Sequence, residues 1–210
     1  MKYDWKQKEK HFYLPKTEPE LIKIPSFKFF SIEGKGNPNE RYFSEYITVL
    51  YSLSYEVKMS LKYRSAPDGF FDYAIYPVEG LWNISEKGKM QASKKPDKNS
   101  FVFNLMIRQP DFLANDFASE IIEKTKQKKP HELLDKVKFE TITDDLCIQI
   151  MHIGNYDSEP ESLKKMEEFC LLNNYMRQSE RHREIYISDA RRVSSDKLRT
   201  VLRFKIRTPY

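Results

Sequence analysis

A strand, a glycine turn and a helix start follow one another twice in this chain of 210 residues. In the first half, FKFFSIEGKG (27–36) is typical of a strand that ends in a glycine turn. In the second half, LCIQIMHIG (146–154) has the same character. A pattern this long that occurs twice indicates an internal duplication, because a solenoid would need shorter and more numerous repeats.

Both helix starts have the sequence of a capping box, in which two side chains satisfy free backbone N–H groups. Asn37 is the predicted N-cap of the first helix, with Pro38 at its first position and Glu40 at its third. Ser158 and Glu161 have the corresponding roles in the second helix. Apolar residues then recur at spacings of three and four, which predicts two amphipathic helices. They are Phe43, Tyr46, Ile47, Leu50, Leu53, Val57 and Leu61 in the first, and Leu163, Met166, Phe169 and Cys170 in the second.

Two further strands are predicted after each helix. They are FFDYAIYPVEGLW (70–82) and FVFNLMIRQP (101–110) in the first half, and REIYIS (183–188) and TVLRFKIR (200–207) in the second. A connecting helix is expected at about 111–127, and residues 1–25 are expected to form a partly ordered lead-in.

The chain is therefore predicted to be one α+β domain spanning residues 1–210, built from duplicated strand–helix–strand–strand units. Repeat one covers about 26–108 and repeat two about 145–207. The units are expected to pair with pseudo-twofold symmetry, with helices on one face of antiparallel sheets. The other face is left for a ligand cleft, since pockets favour junctions between repeated units.

Composition argues against nucleic-acid and membrane partners. The 36 basic and 31 acidic residues are interspersed, and the net charge is only +5. A basic loop, Lys87 to Lys98, has no interleaved aromatic residues and is predicted to be a solvated hairpin tip. The N-terminus has no apolar signal region, and the apolar runs are too short for a bilayer. A cytoplasmic location is expected, and a protein partner stays possible without support.

The cysteines and histidines predict neither a metal site nor a cofactor. Cys147 and Cys170 do not form a CxxC pair and are predicted to be small buried residues in a reducing compartment. His11, His131, His152 and His182 are scattered along the chain, which argues against zinc. His152 alternates with apolar residues and is predicted to be a hydrogen-bonded core histidine.

The stretch HREIYISDARR (182–192) contains the strongest candidate site. Strand alternation places Glu184 and Tyr186 on one face and Ile185 and Ile187 on the other. A desolvated carboxylate among aromatic rings has a raised pKa and is a better proton acceptor. The competing interpretation is a solvated glutamate paired with Arg181 or Arg183, because structural ion pairs are common.

Seven segments in order resemble the GyrI-like small-molecule-binding family. They are KYDWKQKEKHFYLPKTEPELIKIP, EGKGNPNE, LYSLSYEVK, YPVEGLW, NLMIRQPDF, HIGNYDSEPESL and HREIYISDARRVSSDKLRTVL, and they cover almost the whole chain. The similarity is greatest to the stand-alone bacterial subfamily without a DNA-binding helix-turn-helix. Some of its members hydrolyse cyclopropane-bearing DNA-alkylating antibiotics of the yatakemycin and CC-1065 type and thereby confer resistance. The resemblance implies a central cleft with an acidic residue and an aromatic cage.

Within that resemblance, the acidic residue falls on Glu184, the predicted catalytic residue. The predicted ligand-binding residues are Trp82, Tyr186, Tyr76 and Tyr156. Tyr76 is expected on the same strand as Trp82, and core packing is the competing interpretation for Trp82. Tyr156 is expected either at the cleft rim or packed against the second helix. Glu79 is the second choice for the acid.

This chain departs from the family pattern in three segments, at four residues. Asn83 stands where a second tryptophan is usual, Asn155 replaces a proline, and Arg183 and Ala190 replace a histidine and a proline. The lost tryptophan bears most on function, since it removes an aromatic ring from the cage. Three functions therefore stay open: hydrolysis of cyclopropanoid compounds, non-catalytic binding of planar drugs, and modulation of another enzyme such as DNA gyrase.

Overall fold

The computed structural model describes residues 2–63, 66–90 and 97–208, without the side chains of Leu61 and Tyr63. The helices are α1 (Trp5–Lys8), α2 (Lys10–Tyr13), α3 (Arg41–Met59), α4 (Glu86–Met90), α5 (Asn115–Lys128) and α6 (Glu159–Leu172). The strands are β1 (Glu20–Lys35), β2 (Val78–Ile84), β3 (Phe101–Gln109), β4 (Lys138–Ile153), β5 (Met176–Arg177), β6 (His182–Tyr186) and β7 (Arg199–Arg207). Short 3-10 turns lie at Ser60–Tyr63, Lys98–Ser100, Glu132–Lys136, Tyr156–Ser158 and Ser195–Lys197.

The chain divides into two compact units. Unit 1 comprises Met1–Asp4 and Phe27–Ile142, and unit 2 comprises Trp5–Ser26 and Thr143–Tyr210. Repeat one and the connecting helix fall almost wholly in unit 1, and repeat two falls in unit 2. The mixed helix and strand composition is confirmed, whereas the single domain, the duplication and its pseudo-twofold symmetry stay predictions.

Unit 1 contains the predicted order of strand, helix, strand and strand. The unit 1 part of β1 pairs antiparallel with β3, and β3 pairs antiparallel with β2. Helix α3 packs against β3 and α5. Its predicted apolar face is buried, with Leu50, Leu53 and Val57 each 0% exposed. Full burial of such a side chain contributes about 1.5–3 kcal/mol, so this face holds the helix in place.

Unit 2 contains the same order. Strand β7 pairs antiparallel with β4, with β6 and with the short strand β5. The predicted face of α6 is confirmed, because Met166 and Cys170 are buried against apolar residues of β4 and β7. Leu163 and Phe169 pack against the same core. Both cysteines are free and buried, as predicted.

The predicted capping boxes are wrong. Helix α3 begins at Arg41, three residues later than expected, and its N-cap Glu40 makes no side-chain cap bond. The Asn37 carboxamide instead accepts a hydrogen bond from the Asn39 N–H at 3.0 Å. Ser158 is the N-cap residue of α6, as predicted, but its side chain makes no cap bond either. Asn and Ser also favour such local turns, and here the turns replace the caps.

Three predicted segments also need correction. The lead-in contains α1, α2 and the start of β1, and Trp5 and Tyr13 are only 4% and 2% exposed. Strand β2 begins at Val78, so Tyr76 precedes the strand of Trp82. Pro77 lacks an N–H group and cannot continue a ladder at that point. The predicted basic loop contains α4, and its residues 91–96 lie outside the described part of the chain.

Within the described residues, no helix is long and apolar enough to cross a membrane.

Candidate functional site

The start of α6 is positioned by the turn that follows β4. Gly154 has a φ of 140°, a backbone conformation that favours glycine, and it confirms the predicted glycine turn. The Asn155 carboxamide then accepts a hydrogen bond from the Ser158 N–H at 3.0 Å. A proline at position 155 could not accept this hydrogen bond, because it has no carboxamide. The bond therefore depends on Asn155. The turn presents Tyr156 and Glu159 on the side of α6 that faces β6.

His152 secures the same turn. Its Nδ1 lies 2.9 Å from Ser162 Oγ, and its Nε2 lies 3.0 Å from the Asn155 carbonyl oxygen. The side chain is 4% exposed. The prediction of a hydrogen-bonded core histidine is confirmed.

Glu184 lies in the middle of β6 and is 8% exposed. Its Oε1 lies 3.0 Å from His182 Nε2, and its Oε2 accepts a hydrogen bond from the Tyr186 hydroxyl at 2.9 Å. All three residues are at alternate positions of one strand, so their side chains share a face. The competing interpretation of a solvated glutamate is wrong, because the carboxylate is buried.

The side chain of the neighbouring residue, Arg183, lies on the opposite face of β6. Arg183 Nη2 lies 2.8 Å from Asp144 Oδ2, and the two side chains are 3% and 10% exposed. Burial by itself would raise the pKa of Asp144. The charges of Arg183 and Lys205 outweigh it and hold that pKa below its usual value. This buried ion pair anchors β6 next to the position of Glu184.

Glu159 is the site residue that the sequence did not reveal. It is the first residue of α6 and is 6% exposed. Burial raises its pKa well above the usual value, and the charge of Glu184 and a hydrogen bond with that carboxyl raise it further. The helix N-terminus favours the ionised form, by up to about 2 kcal/mol in partly buried geometries. Burial and Glu184 outweigh this effect, and the pKa of Glu159 is raised.

Two tyrosine rings lie beside the carboxyl pair. Tyr156 and Tyr186 contact edge to face, with ring centroids 6.0 Å apart and an interplanar angle of 86°. Tyr156 exposes 41% of its surface and so has one side open to solvent. Burial of its hydroxyl, with the charges of Glu159 and Glu184, raises the pKa of Tyr156 to about 12. Its phenol is therefore a hydrogen-bond donor at neutral pH.

The cluster can hold a ligand in two ways. It offers two carboxyl groups and two phenol hydroxyls to a polar group, and two ring surfaces to a planar one. Three of its members, Glu159, His182 and Glu184, can each offer a metal-ligand atom, and these atoms all lie within 4.8 Å of one another.

Trp82 and Tyr76, the other predicted ligand-binding residues, belong to unit 1. Trp82 is 6% exposed, and its ring packs with those of Phe43, Phe101 and Phe103. Tyr76 is 2% exposed, and the Arg108 guanidinium lies 4.5 Å from its ring centroid. Their binding roles stay predictions. The alternative acid, Glu79, is 3% exposed in β2 of the same unit.

The sequence contained no signal that singles out Glu159. Glu159 and Pro160 open a helix, and an acidic residue in a first turn is ordinarily explained by the helix dipole. Only its burial separates it from Glu161, which is exposed in the same turn. Burial at a helix start depends on the strand packed beside it, so the spacing of residues alone does not distinguish them.

A family model for the GyrI-like small-molecule-binding domain matches residues 17–207 of the chain. No curated protein sequence matches the chain.

Several solved structures are similar to this chain. A hydrolase from Listeria innocua is 30% identical with a TM-score of 0.88, and the alignment covers 99% of this chain and 100% of that one. An uncharacterized conserved protein from the same organism is also 30% identical with a TM-score of 0.88, over 98% and 100% of the chains. The C-terminal domain of EcmrR is 17% identical with a TM-score of 0.54, over 91% and 98%, and shows the fold alone.

Proposed function

The chain belongs to the GyrI-like small-molecule-binding domain family, and we propose that it binds planar aromatic xenobiotics and hydrolyses cyclopropanoid DNA-alkylating compounds. One observation carries this proposal. Glu184 is a buried carboxylate, 8% exposed, held by His182 and Tyr186 next to an exposed tyrosine ring. The similar structure described as a hydrolase supports the choice of reaction class. Protection of DNA would place the protein in the cytoplasm.

Glu184 would act as the general base. A planar cyclopropyl-dienone would lie against the ring of Tyr186, while water is held between Glu184 and the strained carbon. The water oxygen bonds to the cyclopropane CH₂, and its proton passes to Glu184. The carbon–carbon bond of the small ring breaks, and its electron pair makes the dienone a phenolate, which takes a proton from solvent. The net change is the addition of one water.

The surrounding residues favour that role for Glu184. The Tyr186 hydroxyl and the His182 ring fix both carboxylate oxygens, so little reorganisation is needed when the proton moves. The raised pKa of Glu159 favours its protonated form over a second negative charge beside Glu184. Release of ring strain and formation of an aromatic ring drive the reaction, so no organic cofactor is required for it. Trp82, Tyr76 and Tyr156 are the remaining proposed ligand contacts.

The direct test is to incubate the purified chain with a cyclopropanoid antibiotic. We expect the ring-opened, hydrated product to form catalytically, over many turnovers. A chain that protects DNA only in stoichiometric amounts, without product, would exclude hydrolysis.

The second candidate function is binding without turnover. The observation that favours it is the presence of two carboxyl groups and two tyrosine rings in one place, which suits a planar cation. We expect a planar cationic dye to bind one to one, and Glu184→Gln to weaken binding by about tenfold or more, since charge-assisted contacts are worth about 1.5–3 kcal/mol.

Fluorescence titration with the dye measures this affinity. Glu161→Gln is the matched control, because Glu161 is an exposed glutamate in the same first turn of α6. Equal weakening by both substitutions would indicate a general effect of charge and would contradict a site at Glu184.

A further inference from the structure

We propose that Glu159, His182 and Glu184 form a binding site for one divalent first-row transition-metal ion, with Zn²⁺ as the reference case. One ligand atom from each residue lies within 4.8 Å of the other two. All three residues belong to unit 2, on α6 and β6. This inference goes beyond the proposed function, which uses the same cluster without a metal.

The donor set suits such an ion. One imidazole nitrogen and two carboxylate oxygens are ligands for zinc, iron, cobalt and manganese, whereas calcium and magnesium favour all-oxygen sites. Three protein ligands leave a position for water, as in catalytic rather than structural zinc sites. Donors about 2.0–2.2 Å from one tetrahedral ion lie about 3.3–3.6 Å apart. The three ligand atoms, now within 4.8 Å of one another, would therefore move closer by up to about 1.5 Å when the ion binds.

A second observation points to a missing partner. Oε1 of Glu159 is buried and has no hydrogen-bond partner among the described residues. The residue itself is 6% exposed, at a place where a second carboxylate and an imidazole converge. A buried acceptor without a donor is unfavourable. A divalent cation would satisfy this oxygen and would balance the two carboxylate charges.

The surroundings resemble the outer shell of a metal site. The Tyr186 hydroxyl donates to Oε2 of Glu184 at 2.9 Å, which orients the carboxylate and leaves Oε1 toward His182. Partners of this kind orient metal ligands and affect metal affinity. Tyr156 contacts the Tyr186 ring and is 41% exposed, so the cluster lies close to the protein surface.

The scattered histidines had predicted that no zinc site exists. Zinc sites often use several histidines or cysteines as ligands, but carboxylates also bind zinc. His182 is one histidine beside two glutamates from a helix and a strand, and this combination also provides three donors. The scattered histidines therefore do not exclude this site.

The test is metal binding by the purified full chain after treatment with a chelator, without any organic ligand. Calorimetry with Zn²⁺ is expected to show one site. Co²⁺ is expected to give the visible absorption of a four- or five-coordinate ion with nitrogen and oxygen ligands. His182→Ala and Glu159→Gln are each expected to lower affinity by about 100-fold or more, since even second-shell changes cost about 10–100-fold.

Two controls keep the result specific. Glu161→Gln changes an exposed glutamate two residues from Glu159, and His131→Ala removes a histidine of unit 1. Both are expected to bind Zn²⁺ as wild type does. Circular dichroism establishes that each variant is folded, and His182→Gln replaces His182→Ala if the latter is not.

The proposal is overturned if folded wild-type protein gives neither a Zn²⁺ heat nor a Co²⁺ spectrum. It is also overturned if folded His182→Ala or His182→Gln keeps the wild-type affinity. Because no drug is present, these outcomes are independent of whether the chain hydrolyses cyclopropanoid compounds.

Discussion

A Glu184→Gln variant is expected to lower the rate of cyclopropanoid hydrolysis by about 10²–10⁴-fold, the usual contribution of a general base. Glutamine has the size of glutamate, so the strand and its neighbours stay in place. Its amide cannot take the proton that water must lose. The rate is measured by the loss of dienone absorbance, and mass spectrometry identifies the hydrated product. The assay contains a chelator, so that a bound metal ion contributes nothing.

Two matched variants accompany this measurement. Glu161→Gln removes an exposed carboxylate from the first turn of α6 and is expected to react at the wild-type rate. Tyr186→Phe keeps the ring but removes the hydroxyl that donates to Glu184 at 2.9 Å. It is expected to retain dye affinity while its rate falls, because it affects orientation of the base rather than stacking. A Glu184→Gln variant as fast as wild type would disprove the assigned role.

Asp144→Asn is expected to destabilise the protein by about 3–5 kcal/mol, the cost of leaving one charge of a buried pair uncompensated. The side chain of its partner Arg183 is only 3% exposed, so the guanidinium cannot reach water without a local rearrangement. For a chain of this size about 1 kcal/mol corresponds to about 2–4 °C, so Tm is expected to fall by roughly 10 °C. Calorimetry and urea unfolding measure the effect.

The neighbouring residue provides the control. Asp145 carries the same side chain but is 68% exposed and lies 3.9 Å from Lys23. Its φ is 57°, a conformation that asparagine tolerates. Asp145→Asn is therefore expected to change stability by about 1 kcal/mol or less, as exposed pairs do. Equal losses of stability in the two variants would show that burial of the Asp144–Arg183 pair does not increase its contribution to stability.

The pH dependence of stability has a definite sign. The pKa of Asp144 is lowered in the folded protein, because the charges of Arg183 and Lys205 outweigh burial. Its stabilising contribution is therefore present above the unfolded value of about 3.9 and is lost as pH falls through the folded value. The difference in unfolding free energy between wild type and Asp144→Asn is expected to be constant near neutrality and to shrink below about pH 4.

Several features of the fold could be predicted because they depend on local periodicity. The apolar faces of α3 and α6 repeat every three to four residues, and Leu53 and Met166 are buried as expected. The capping boxes failed because Asn37 and Asn155 form turns with their own neighbours. A side-chain cap and a local turn differ little in free energy, so contacts in the rest of the structure decide which one forms.

The candidate site was predictable to the extent that it lies on one strand. Glu184 and Tyr186 are two residues apart, and a strand with a period of two necessarily presents them together. The sequence therefore predicted that the two side chains share a face. In the structure the Tyr186 hydroxyl donates a hydrogen bond to Glu184. His182 follows from the same rule, although only the structure shows that its ring reaches the carboxylate.

The sequence by itself determined the order of the elements, the faces of α3 and α6 that are buried, and the alternation that groups Glu184 with Tyr186. Only the tertiary structure decided that Glu159 joins them, because a helix start and a strand far apart in the chain meet through packing. It also decided that the pKa of Glu159 is raised. A carboxyl pKa depends on the water and charge around it, and neither is a property of the residue's position in the chain.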